Sequence, residues 1–187
     1  MAGAEGRGPL NGVTRVGPPL QPEQGKFDEG VLDGLDLVLH EMGKRKMRAV
    51  IFFSNNWEWS GGFQQYLIWD RIIPDRWLKD KPDWDQLRDI VAQFYTCKPC
   101  VDSYTKQVEL VLGRTNKLSK RRYVDDPVIM AWELANEPRP MRPAANDAYR
   151  KWIASTSALI KSGARRQLVT IGHEGWIGTQ DIELFEE

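Results

Sequence analysis

The chain has 187 residues, and its 26 basic and 26 acidic side chains cancel to a formal charge of zero. That length carries one domain with a core of its own, and the balanced charge leaves no footprint for nucleic acid or an anionic membrane. No apolar run approaches the roughly 20 residues that span a bilayer.

Met1 to Gly12 is small and polar and lacks the basic-then-apolar pattern of a signal peptide. Residues 1 to about 25 are rich in Gly and Pro without sustained periodicity, so residues 1–18 are expected to form a flexible leader. From Asp28, an N-cap candidate, Val31, Leu32, Leu35, Val38, Leu39 and Met42 recur at helical spacing, with Gly43 as a stop. The basic turn Lys44-Arg45-Lys46 leads into a strand over Met47 to Phe53. Directly after it comes Ser54-Asn55-Asn56-Trp57-Glu58-Trp59-Ser60-Gly61-Gly62, a polar, aromatic and glycine-rich loop. Tyr66 to Trp69 read as a short helix, and 74–82 as an irregular connection. Asp83 with Gln86 forms a capping box, and Trp84, Leu87, Ile90, Val91 and Phe94 mark the face of the next helix. Another helix follows, with Val101, Tyr104, Val108, Val111 and Leu112 on one side. A polar loop over 114–126 delivers the chain to the strand Val128 to Leu134. After Pro143 an amphipathic helix runs from Asn146 to Lys161, with Tyr149, Trp152, Ile153, Thr156 and Ile160 inward, and a last short strand covers Leu168 to Ile171.

This order of helix, strand, helices, strand, helix, strand argues for an α/β fold with a parallel sheet and covering helices. No G-x-G-x-x-G follows any strand, so a barrel segment fits better than a dinucleotide fold. Each strand ends in a polar or aromatic cluster. In parallel α/β folds that C-terminal lip is where ligands bind. Eight tryptophans accompany these clusters. Flat apolar rings suit the C–H faces of sugars, and the competing reading is that most of them are core packing.

The richest lip is Asn136-Glu137-Pro138, where proline stops regular pairing just after an amide and a carboxyl group. Glu137 there can act as a general acid, or simply cap a helix or pair with Arg139. Glu133 shares its parity but lies roughly 13 Å away along an extended strand, too far for the pair of carboxylates about 5 Å apart in a retaining glycosidase. Glu133 is therefore expected to be buried with a basic or hydroxyl partner. Glu174 can approach Glu137 because neighbouring strands lie about 5 Å apart, which makes it a candidate second carboxylate. His40 reads as structural. His173 adjoins the lip, but two histidines without ligand spacing make no metal site. Cys97 and Cys100 form a lone C-x-x-C that fits a redox pair, half a zinc site or a local disulfide; a structural pair is favoured, oxidised if the protein is exported.

Taken together, these motifs resemble a known family. Ala-Trp-Glu-Leu-Ala-Asn-Glu-Pro-Arg at 131–139 resembles the acid/base motif of glycoside hydrolase family 5, and more narrowly that of the endo-β-1,4-mannanases. Supporting pieces stand in order: Leu20-Gln21-Pro22, Ser54-Asn55-Asn56-Trp57 with Gly61-Gly62, Tyr66, Arg114-Thr115-Asn116, Tyr123 with Asp125-Asp126-Pro127, and Glu174-Gly175. The resemblance implies a partial (β/α)8 barrel over 19–187, roughly strands 2/3 to 5 with their helices. It implies internal cleavage of β-1,4-mannosidic bonds by a retaining mechanism, with Glu137 as acid/base and no cofactor or metal. Asn136 would hold the 2-hydroxyl next to the cleaved bond, Trp57 would line the cleft, and Arg139, Glu174 and Trp176 would contact substrate. The nucleophile would be a different glutamate on a later strand, absent from these residues, so the chain reads as an internal piece of a longer gene. The expected partner is a β-mannan polysaccharide or oligosaccharide, met by a secreted monomer, with no nucleic acid and no membrane. The alternative is an inactive sugar-binding remnant or pseudoenzyme.

Overall fold

The computed structural model describes residues 4–74, 76 and 81–175. Three parallel strands form one sheet in the order β1-β2-β3: β1 is Ala49–Phe52, β2 is Ile129–Glu133 and β3 is Leu168–Thr170. The register pairs Ile51 with Trp132 and Phe52 with Glu133, then Trp132 with Val169 and Glu133 with Thr170. All three lips therefore lie side by side. The helices are α1 (Glu29–Lys44), α2 (Gly62–Trp69), α3 (Trp84–Ala92), α4 (Lys98–Gly113) and α5 (Asn146–Gly163).

Asp28 caps α1 by accepting from the N–H groups of Gly30 and Val31. The buried stripe of α1 is Leu32, Asp36 and Leu39, and Val38, expected inward, is exposed. The helix is turned by Asp36, whose carboxylate takes two bonds from Arg114 (3.0 and 2.7 Å), one from the Tyr123 hydroxyl (2.6 Å) and one from the Lys117 N–H (3.1 Å). Burial pushes the Asp36 carboxyl up, but these donors outweigh it and hold it below its ordinary value. β1 starts two residues later than expected. Met47 still donates back to Met42, and Lys46 takes a left-handed conformation that closes the turn.

α2 begins four residues before the expected Tyr66. Its start rests on Gly61, at φ 91°, where a Cβ would sit 2.0 Å from the Glu5 carbonyl oxygen. That contact belongs to a segment expected as a flexible leader. Within it Ala4, Glu5, Gly6, Leu10 and Asn11 are buried and residues 7–9, 12, 14 and 16–18 are exposed; the Glu5 N–H donates to Ser60, and Glu5 and Gln21 pair as a parallel bridge. Val13 exchanges two backbone bonds with Leu10. The polar side chains of this segment, not an apolar period, tie it down, which is why the pattern of the sequence hid it.

α3 carries the expected capping box. α4 is capped by Cys97, whose sulfur accepts from the Cys100 N–H, and the two cysteines form a disulfide. The helices cover the sheet through an aromatic cluster. Phe63 stacks on Phe94 at 4.1 Å, and Tyr95, Tyr104 and Trp152 pack edge-on around Phe63. Behind β1 and β2, Phe53 stacks on Trp132 at 5.4 Å, so Trp132 is core. None of the described helices is long and apolar enough to cross a membrane.

Candidate active site

The lips of β1 and β2 are joined past the end of the regular strands. Asn55 and Asn136 form a parallel bridge; Asn136 donates its N–H to Ser54 (2.9 Å) and accepts from the Asn56 N–H (3.0 Å). The Asn136 side-chain amide donates to Asn55 Oδ1 (3.1 Å), which also receives the Trp57 N–H (3.2 Å). Asn55 in turn donates to the buried Ser60 hydroxyl (3.1 Å). The loop carrying Trp57 is thereby locked to the loop carrying Glu137.

Glu137 sits in the left-handed region at φ 51°, a conformation that disfavours a side-chain-bearing residue. Its N–H donates to Gly172 at the lip of β3 (3.0 Å). Gly172 has φ 89°, and a Cβ there would meet the Ala135 carbonyl at 2.1 Å, so only glycine lets the third lip approach this closely. Three buried phenols hold the rest of the turn. Tyr104 donates to Leu134 O (2.8 Å), Tyr149 to Pro138 O (3.0 Å) and Tyr95 to Arg139 O (2.9 Å). Burial pushes all three hydroxyls well above the ordinary range, so they remain protonated donors.

The Glu137 carboxylate receives the indole N–H of Trp57 at Oε2 (2.5 Å). The Arg139 guanidinium lies 5.0 Å from the Trp57 ring centroid and pairs with Glu174, not with Glu137. Glu133 is half-buried, and among the described residues it has neither the basic nor the hydroxyl partner expected of it. Its carboxyl is raised, first by burial and then by the neighbouring charge of Glu137. The left-handed conformation at Glu137 ends the extended backbone, so counting along a strand does not place its side chain.

Of the residues singled out in the sequence, Glu137, Asn136, Trp57, Arg139 and Glu174 come together here, and Trp176 lies outside the described residues. Sequence reasoning missed Trp84, which stacks on Trp57 with ring centroids 6.2 Å apart. Helical spacing alone groups it with Leu87, Ile90, Val91 and Phe94 on one helix face. It also missed the three phenols, since hydroxyl targets are set by tertiary packing. Asp70, Cys97 and Cys100 bring potential ligand atoms within 4.8 Å of one another. The two sulfurs are bonded to each other, however, which removes the thiolates a metal would need.

The sequence model of the glycoside hydrolase family 5 beta-mannosidase-like family matches residues 1–187. The chain belongs to this family. Mannan endo-1,4-beta-mannosidase 1 of Arabidopsis thaliana is 34% identical over 160 residues, covering 86% of this chain and 35% of the relative. The Solanum lycopersicum enzyme of the same designation is 35% identical over 160 residues, covering 85% and 37%. Among solved structures, a family 5 mannosidase from Rhizomucor miehei in complex with mannosyl-fructose superposes with a TM-score of 0.77 at 34% identity, covering 94% of this chain and 41% of that one. The endo-beta-1,4-mannanase of Thermotoga petrophila superposes with a TM-score of 0.69 at 27% identity, covering 83% and 32%. The chain thus spans little more than a third of the length of these curated relatives. In this family 5 chain the three parallel strands and their helices form part of a (β/α)8 barrel, with the candidate site at its C-terminal face.

Proposed function

We propose that this chain carries the acid/base half of a retaining glycoside hydrolase that cleaves internal β-1,4-mannosidic bonds. The observation that carries the reading is the Glu137 carboxyl at the joined lips, held by the Trp57 indole N–H on one oxygen and flanked by the Asn136 amide. The names of the relatives supply the substrate, a β-mannan. Pinning Oε2 leaves Oε1 to protonate the leaving glycosidic oxygen, and the same group later takes a proton from water. Asn136 holds the sugar 2-hydroxyl. Arg139 and Glu174, paired with each other, contact the sugar on the leaving side. Trp57 supplies an apolar face. The nucleophile of the double displacement is a carboxylate on a later barrel strand, about 5 Å from Glu137. The Cys97–Cys100 disulfide supports export to an oxidising compartment.

The test has two parts. Mannohexaose binding to this chain is measured by calorimetry. Hydrolysis of mannan is measured in a protein extended to the length of the relatives, with and without Glu137→Ala. The substitution is expected to lower kcat by about 10²- to 10⁴-fold. Unchanged turnover in the variant refutes the role of Glu137. Binding without hydrolysis in the extended protein supports a sugar-binding remnant instead.

A further inference from the structure

We infer that Trp84 is a sugar-stacking platform that extends the β-mannan cleft one ring beyond Trp57, an inference that rests on the β-mannan reading above. Trp84 is the first residue of α3 and is 47% exposed. A large flat apolar ring left open beside a cleft is surface available to a ligand. It is not loosely placed. The Asp83–Gln86 capping box defines where α3 begins. Arg142, just after the Glu137 turn, donates to Asp89 Oδ1 (2.6 Å) and to the Asp85 carbonyl (3.1 Å) and Oδ1 (3.2 Å). Arg88 donates from α3 to the Met141 carbonyl (3.0 Å). These bonds clamp the first half of α3 to the segment that follows Glu137, so Trp84 moves with the site.

The two indoles form one stacked pair beside the site. Trp84 stacks on Trp57 at an interplanar angle of 27°, and the Arg139 guanidinium reaches both, 5.0 Å from one centroid and 6.0 Å from the other. Trp57 bonds Glu137 directly, so the pair links the carboxyl group to an open ring. A β-1,4-linked hexopyranose chain presents an apolar C–H face on each sugar, which suits the open face of Trp84. A residue needed only to cover Trp57 would not have to be aromatic.

The experiment measures mannobiose and mannohexaose affinities by calorimetry for the unsubstituted chain, Trp84→Ala, Trp84→Leu and Trp84→Phe, with a thermal melt of each. The affinity ratio of hexaose to biose is expected to fall about 3- to 10-fold in the Ala and Leu variants and to be largely restored by Phe. Leu keeps an apolar cover without a flat face, so a purely structural role predicts that Leu behaves as the unsubstituted chain. An unchanged ratio in both Ala and Leu, over intact binding by the unsubstituted chain, overturns the platform alone. Absence of binding by the unsubstituted chain overturns the β-mannan reading and the platform with it.

Discussion

Replacing Glu5 with glutamine removes an acid that folding has enclosed without a cation on its carboxylate. The side chain is fully buried and accepts from the Gly62 N–H (3.0 Å), the Gln107 amide (3.0 Å) and the Tyr66 hydroxyl (3.3 Å). The guanidinium of Arg15 bonds the Glu5 backbone carbonyl (2.8 Å), not the carboxylate. Burial therefore pushes the acid from 4.5 up to about 7. Between those values the folded chain keeps a proton that the unfolded chain has lost. The contribution of Glu5 is thus fully present below the unfolded value and is lost as pH rises through the folded one. The gap, at about 1.36 kcal/mol for each pH unit, amounts to about 3 kcal/mol. Urea unfolding of the parent chain and Glu5→Gln at pH 5 and pH 8, followed by tryptophan fluorescence, reads this directly. The variant should lose about 1–3 kcal/mol at pH 5, because a second amide now faces Gln107. The parent should lose about 3 kcal/mol more than the variant between the two pH values. Glu133, raised in the same direction, is common to both proteins. Equal losses refute the enclosed, uncompensated acid.

Three further outcomes follow from the same contacts. Asp36→Ala strips Arg114 and the Tyr123 hydroxyl of their shared acceptor and should destabilise by about 3–5 kcal/mol in chemical denaturation; a loss below about 1 kcal/mol would show that Asp33 and Glu29 suffice for Arg114. Tyr149→Phe leaves the Pro138 carbonyl unpaired next to Glu137 and should cost about 1–3 kcal/mol, with weaker mannohexaose binding as the turn loosens; unchanged stability would mean that the turn is held elsewhere. Replacing Cys97 and Cys100 by serine opens a short loop and should lower stability by roughly 2 kcal/mol with oligosaccharide affinity intact. Lost affinity with an unchanged melt would give the pair a functional role.

Strand and helix order was legible because apolar spacing repeats along the chain: α1, α3, α4 and α5 fall within a few residues of their expected bounds. The place of Asn136 and Glu137 just past the end of β2 was legible because an amide, an acid and a proline after an apolar run make a local signal. The packing of residues 4–18 was not, since Glu5, Asn11 and Gln21 are held by polar bonds across 50 or more positions, as in Asn11 to Gln64 and Gln21 to Gln107.

Local chemistry in the chain is enough to pick out the motif at 131–139, with Glu137 in it, and the family it belongs to. Where that acid points is a different matter. Left-handed turning at Glu137, the approach of Gly172, the indole N–H of Trp57 and the ion pair of Arg139 with Glu174 arise only when three lips meet. Periodicity reports which face of a strand is buried, but it carries no information once the strand has ended. The candidate site lies just beyond that point, where contacts between distant loops decide the geometry.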